Sequence, residues 1–162
     1  MLEGLAPVIA PDTRLVVLGS FPGVASLAAQ AYYGHPRNAF WRVLSALWDE
    51  DLVVSTYPAR IDALRRRRVG LWDVYRACER EGSLDSAIRA PVPNDLARLK
   101  ALAPGLRAVA HNGAESARAR RITAALGLDV HVLPSTSPAN AAWSFERKLA
   151  AWRDVFSRYD QE

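Results

Sequence analysis

Four short apolar runs, each long enough for one strand, constrain this chain more than any other feature: Arg14 to Gly19, Val69 to Val74, Leu106 to His111 and Val130 to Leu133. The first, Arg14-Leu-Val-Val-Leu-Gly19, is apolar without alternation and stops at glycine. That is the signature of a strand buried on both faces that ends in a tight turn.

Between these runs the apolar period changes to that of helices. After a bend at Pro36, residues Phe40, Val43, Leu44, Leu47 and Trp48 fall on one helical stripe, with Asn38 as the expected N-cap. A second helix is expected from Ala59 to Arg67. A third, capped by Asn94, carries Leu96, Leu99 and Leu102 and stops at Pro104-Gly105. Ala114 to Leu126 reads as one helix with Gly127 at C′, and the last helix presents Phe145, Leu149, Trp152 and Phe156. Glu79 to Pro93 has the weakest periodicity and reads as a long, partly irregular connection. Strands alternating with helices predict an α/β fold: a single domain over residues 1–162, built as a three-layer α/β/α sandwich around a mostly parallel four-stranded sheet.

A chain of 162 residues, 50% hydrophobic, can bury one substantial core. The N-terminal segment lacks a basic region followed by an apolar stretch, and no run is long enough to span a bilayer, so a soluble, cytoplasmic protein is expected. Cys78 is the single cysteine and His35, His111 and His131 are scattered. Neither an intramolecular disulfide nor a metal site is expected. The 21 basic and 17 acidic side chains give a net charge of +4, which favours approach to a polyanion.

Four segments sit at the carboxyl ends of the expected strands: Gly19-Ser-Phe-Pro-Gly23, Asp73-Val-Tyr75, His111-Asn-Gly113 and Leu133-Pro-Ser-Thr-Ser-Pro138. In a parallel α/β sheet such ends converge on one crevice. Taken singly, each is composed of ordinary turn residues.

Together with Tyr32-Tyr-Gly-His-Pro-Arg-Asn-Ala-Phe-Trp41, these segments resemble the uracil-DNA glycosylase superfamily in identity, order and spacing over residues 14–156. Gly70-Leu-Trp-Asp-Val74, Gly82-Ser-Leu-Asp85 and Leu133-Pro-Ser-Thr-Ser-Pro-Ala139 are similar to its hypoxanthine branch. The resemblance implies hydrolysis of the bond between a deaminated base and its sugar in DNA, without a cofactor, by an enzyme for which a monomer suffices.

The mismatch-specific branch keeps a water-positioning asparagine where this chain has Phe21, which cannot hold a water. By resemblance to the hypoxanthine branch, Asn38 takes the catalytic part, its amide accepting from the attacking water or orienting the flipped nucleotide. Gly19, Ser20, Phe21, Tyr33, Asp73 and Asn112 are implied to contact the extruded base, with Tyr33 as the stacking ring and Asp73 where other branches have a base-reading asparagine. Ser135, Thr136 and Ser137 resemble the loop that grips DNA phosphates. For most of these residues a simple role as cap, turn or core residue stands beside the functional one.

Other readings remain open at this level. The same fold could remove uracil or a mismatched thymine, and a non-catalytic module could bind nucleotide or damaged DNA through the same turns. A serine hydrolase is disfavoured because Ser20 lacks the Gly-x-Ser-x-Gly elbow. The Arg65 to Arg68 run precedes a strand's amino end, the wrong end for the crevice, and reads as a solvated face. Lys100 and Lys148, the only lysines, lie outside the crevice motifs, so a Schiff-base lyase step is not expected and the product is an abasic site.

Overall fold

Neighbouring residues of the first apolar run face opposite layers. Leu15 and Val17 pack with Phe40, Leu44, Leu64, Trp152 and Phe156, whereas Val16 and Leu18 pack with Trp72, Leu96, Leu99 and Ala119. All four are fully buried. Each contributes roughly 1.5–3 kcal/mol by leaving water, and the two-sided burial explains why the run does not alternate.

The computed structural model describes residues 1–160. In chain order the elements are β1 (Leu2–Glu3), β2 (Leu15–Gly19), α1 (Val24–Ala29), α2 (Phe40–Trp48), α3 (Tyr57–Arg66), β3 (Val69–Asp73), β4 (Tyr75–Glu79), β5 (Arg89–Pro93), α4 (Leu99–Leu102), β6 (Ala108–Asn112), α5 (Ala114–Ala117), α6 (Arg120–Ala125), β7 (Asp129–Leu133) and α7 (Phe145–Phe156). Strands β3-β2-β6-β7 form a four-stranded sheet in that order, every pair parallel. Helices α2, α3 and α7 supply one flanking layer, and α4 with the Ala119 turn supplies the other. This is the expected α/β sandwich. Among the described residues no helix is long and apolar enough to cross a membrane.

The expected long, partly irregular connection from Glu79 to Pro93 is irregular from 80 to 88, but its end is a strand that the sequence reading missed. β4 and β5 pair antiparallel, and β1 pairs with β4, giving a second, three-stranded sheet. β5 reads Arg-Ala-Pro-Val-Pro and is almost wholly exposed, so it carries no apolar period to detect, and its two prolines suit an edge strand.

Three helix readings need correction. Asn94 does not cap a helix: its side chain donates to the Asp73 carbonyl at 2.8 Å, and the following chain makes a 3-10 turn before α4. The expected helix from Ala114 to Leu126 is two helices, separated where Ala119 N–H bonds back to Ser116 O in a tighter turn and Ala119 enters the core. α3 begins at Tyr57 rather than Ala59, because Thr56 Oγ1 accepts from Ala59 N at 3.3 Å and Pro58 fits the first turn.

At the opposite end of the sheet from the crevice, Arg66 pairs with Glu50 at 2.7 Å and Arg68 with Asp12 at 3.7 Å. The arginine run is thus engaged by the protein's own acids.

Candidate functional site

The carboxyl ends of β2 and β3 meet at Gly19 and Asp73, which are partners in register. A Cβ on Gly19 would stand 2.5 Å from Asp73 Oδ1 and 3.4 Å from the Tyr33 hydroxyl, so only glycine lets both groups approach. Asp73 is 5% exposed and its Oδ2 has no hydrogen-bond partner. Burial, reinforced by the negative charge of Asp85, pushes this carboxyl up from 3.8 to about 7. Near neutral pH it is substantially protonated, and a neutral carboxyl can donate and accept at once.

Tyr33 stacks on Phe40 with ring centroids 4.0 Å apart and planes 21° from parallel. Its backbone lies in the left-handed region at φ 56°, uncommon for a bulky residue. The hydroxyl accepts from Asn112 Nδ2 at 3.3 Å, and burial keeps the phenol well above its usual range.

Asn112, at the end of β6, uses both amide protons and one lone pair of its amide oxygen on protein partners. Nδ2 donates to Tyr33 and to Thr136 Oγ1 at 3.0 Å, and Oδ1 accepts from Thr136 N at 3.1 Å. Gly113 lets the next loop approach, since a Cβ there would lie 3.0 Å from that of Ser135. The loop is held by its own side chains: Ser135 Oγ accepts from Ser137 N at 3.1 Å, Ser137 Oγ accepts from Ala139 N at 3.2 Å, and Asn140 Nδ2 donates to Ser135 O at 3.1 Å. Each serine hydroxyl therefore keeps its own proton for an outside acceptor.

Asn38 stands one residue further from its helix than expected. Ala39 occupies the N-cap of α2, while Asn38 Oδ1 accepts from Phe40 N at 3.0 Å. This bond fixes the side chain and leaves one oxygen lone pair free. Among the described residues Nδ2 has no partner. Ala39 N donates to Thr136 O at 2.9 Å. That bond closes a ring of contacts through Asn38, Phe40, Tyr33, Asn112 and Thr136.

Ser20 and Phe21 are turned to other partners. Ser20 Oγ donates to Asp85 Oδ1 at 2.5 Å. The buried Phe21 ring lies under the Arg80 guanidinium at 5.3 Å. Arg80 also donates to Gly82 O and Pro22 O, at 2.7 and 2.8 Å. The β4–β5 hairpin is thereby tied to the first crevice segment. Sequence reasoning left Arg80 and Asp85 out of the site; the Gly82-Ser-Leu-Asp85 pattern was the available signal.

Lys148 was also passed over. It falls among Phe145, Leu149 and Trp152 on the apolar stripe of α7, and it is 7% exposed beside Thr136 and Ser137. A charged residue at a core-facing helical position was the clue. Among the described residues no group of three or more His, Cys, Asp or Glu could hold a metal.

A buried carboxyl able to donate, a fixed aromatic ring, an anchored amide and a hydroxyl-rich loop within one α/β crevice fit the extraction and hydrolysis of a nucleotide base. The chain belongs to the uracil DNA glycosylase superfamily, whose family model matches residues 6–156. It is 40% identical over 156 residues to the hypoxanthine DNA glycosylase of Methanosarcina barkeri, covering 96% of this chain and 98% of the relative. It is 37% identical over 154 residues to the protein of the same name from Methanosarcina acetivorans, covering 95% and 97%. The solution NMR structure of a candidate uracil DNA glycosylase from Methanosarcina acetivorans superposes with a TM-score of 0.88 at 36% identity, covering 98% of both chains.

Proposed function

We propose that this chain is a monofunctional DNA glycosylase that removes a deaminated base, hypoxanthine foremost, from DNA and leaves an abasic site for base-excision repair. The observation that carries the reading is Asp73, a buried carboxyl with an unpartnered oxygen, poised to be neutral beside a fixed tyrosine ring. A neutral carboxyl is complementary to the adjacent N–H and C=O of a lactam: it accepts from the first and donates to the second. Deamination of adenine creates that lactam edge in hypoxanthine. Relatives of 37–40% identity carry the hypoxanthine DNA glycosylase name.

In this account the base leaves the duplex, stacks on Tyr33 and pairs with Asp73. A water accepted by the free lone pair of Asn38 Oδ1 attacks C1′ as the glycosidic C–N bond breaks. The electron pair goes to the departing base, whose carbonyl oxygen gains charge opposite the Asp73 O–H. The sugar keeps the water oxygen as its new hydroxyl, and the water's other proton ends on the base. Asn112 acts as a positioning residue, holding Tyr33 and Thr136. Ser135 and Ser137 offer hydroxyl protons to phosphate. The crevice residues all come from one chain, which supports a single domain working as a monomer; the compartment proposed for it is the cytoplasm.

Uracil carries the same lactam edge, so removal of uracil, or of thymine or uracil from a mismatch with guanine, is the second reading. Duplexes carrying hypoxanthine, uracil, xanthine or a T·G pair, incubated with the protein and then cleaved at abasic sites with alkali, separate the two. Hypoxanthine is expected to give the fastest cleavage, and a lack of cleavage in every duplex would favour a non-catalytic binding module.

A further inference from the structure

A cavity of about 470 Å³ is lined by Arg37 and Ala39, the chain neighbours of Asn38, and by the Thr136–Ser137 loop. Its wall carries Arg37, Arg42 and Lys148 together with Thr136, Ser137 and Asn140, and among the described residues it has no acidic side chain. Lys148 is the decisive group. It is more than nine-tenths buried, and its ammonium makes no hydrogen bond or ion pair among the described residues. Arg42 is exposed and likewise has no ion pair among them, its guanidinium lying 5.1 Å over the Phe145 ring. Burial and the neighbouring charge of Arg42 both lower the Lys148 ammonium below its ordinary range. Two cations placed together in a concave wall that carries no acid repel each other, and an anion seated between them relieves that repulsion.

We infer that this cavity is a phosphate subsite in which Lys148 and Arg42 clamp one backbone phosphate of the DNA, next to the extruded nucleotide. The chemistry fits. Lysine provides a point charge and arginine a planar fork, while the Ser137 hydroxyl keeps a free proton on the adjoining rim. The Ala39 N to Thr136 O bond joins the two walls. A phosphate seated here therefore fixes the strand relative to Asn38. The inference rests on the DNA glycosylase reading and adds a binding group outside the base crevice.

The test is binding of the full-length protein to a duplex carrying a 2′-fluorinated deoxyinosine, which resists excision, followed by anisotropy across a salt series. For Lys148→Met, Kd at 0.15 M salt is expected to rise about five- to tenfold, and the slope of log K against log salt to shrink by about 1. Thermal stability should hold, since methionine keeps the apolar packing of the buried lysine stem. A set of duplexes, each with one uncharged methylphosphonate at a position flanking the lesion, identifies the source of the phosphate. At one position the wild-type protein should lose the same factor while Lys148→Met loses nothing further. Arg42→Gln should repeat the pattern.

Equal affinity and salt slope for wild type and Lys148→Met would overturn the inference while leaving the glycosylase reading intact. So would the absence of any sensitive methylphosphonate position, which would mean that the cavity takes phosphate from elsewhere. A borohydride-trapped adduct with abasic DNA that disappears in Lys148→Met would reassign the lysine to imine formation. Failure of the wild-type protein to bind any duplex would overturn both readings together.

Discussion

Asn112 and Thr136 grip each other twice: the asparagine Nδ2 donates to the threonine hydroxyl at 3.0 Å, and its Oδ1 accepts from the threonine backbone N–H at 3.1 Å. With the Tyr33 hydroxyl as third partner, one side chain fixes both the Tyr33 ring and the Thr136 loop. Asn112→Ala leaves buried groups unpaired and should cost about 1–3 kcal/mol of stability. Denaturant unfolding measures it. Excision under single-turnover conditions should also slow, and unchanged stability would show that the grip contributes nothing.

Gly19 predicts a steric result. Gly19→Ala puts a methyl 2.5 Å from Asp73 Oδ1, where something must move. The cost should be about 1–3 kcal/mol with loss of excision. Gly105→Ala, whose Cβ would meet nothing within 4 Å, is the control and should be near neutral in both assays.

Asp73 makes stability depend on pH. Its carboxyl is raised from 3.8 to about 7 in the fold. The neutral form therefore contributes stability fully below 3.8, and the contribution is lost as pH rises through about 7. Asp73→Asn removes that dependence, so its stability relative to wild type should improve by about 4 kcal/mol between pH 4 and 8. If the O–H of Asp73 also holds the leaving base, wild-type excision should decline above about pH 7, with a flatter profile in Asp73→Asn. A profile unaffected by the substitution would remove Asp73 from base recognition.

His111 works in the opposite sense. It is fully buried between Ser116 Oγ and Thr123 Oγ1, each at 2.9 Å, and the Ser116 hydroxyl donates to Leu18 O at 2.6 Å. The serine oxygen then accepts the Nδ1 proton, and the Thr123 hydroxyl proton is divided between His111 Nε2 at 2.9 Å and the Arg120 carbonyl at 3.2 Å. Burial depresses this imidazole from 6.5 to about 4. Its contribution is complete above pH 6.5 and lost as pH falls through about 4, at about 1.4 kcal/mol per pH unit inside that window. Acid titration followed by imidazole NMR should find His111 neutral at pH 5, and a charged ring there would contradict the network.

The sheet was legible because β2, β3 and β6 are buried on two faces and so remain largely apolar, β2 being the clearest case. The second sheet was hidden for the converse reason, since β5 is an exposed edge strand whose Pro91 and Pro93 imitate a loop. Crevice segments could be placed because β-strand carboxyl ends face one way in a parallel sheet. What their side chains do there could not. Asn112 turns inward on Tyr33 and Thr136, Ser20 on Asp85, and the Phe21 ring lies under Arg80. Those pairings cross 59 to 79 positions of sequence or depend on a loop's path, and local pattern carries no trace of either. Lys148 was visible only as a charge on an apolar stripe, a discord whose meaning needed the opposite wall of the cavity.

The central claim is that Asn38 activates water for release of hypoxanthine. Single-turnover incubation with a duplex containing one deoxyinosine, with released base and alkali-labile strand measured together, tests it directly. The wild-type protein should release hypoxanthine in step with strand cleavage, and Asn38→Ala should be slower by about 100-fold or more while its unfolding curve stays close to wild type. Release at a near-normal rate by a folded Asn38→Ala, or no hypoxanthine released by the wild-type protein, would contradict the account.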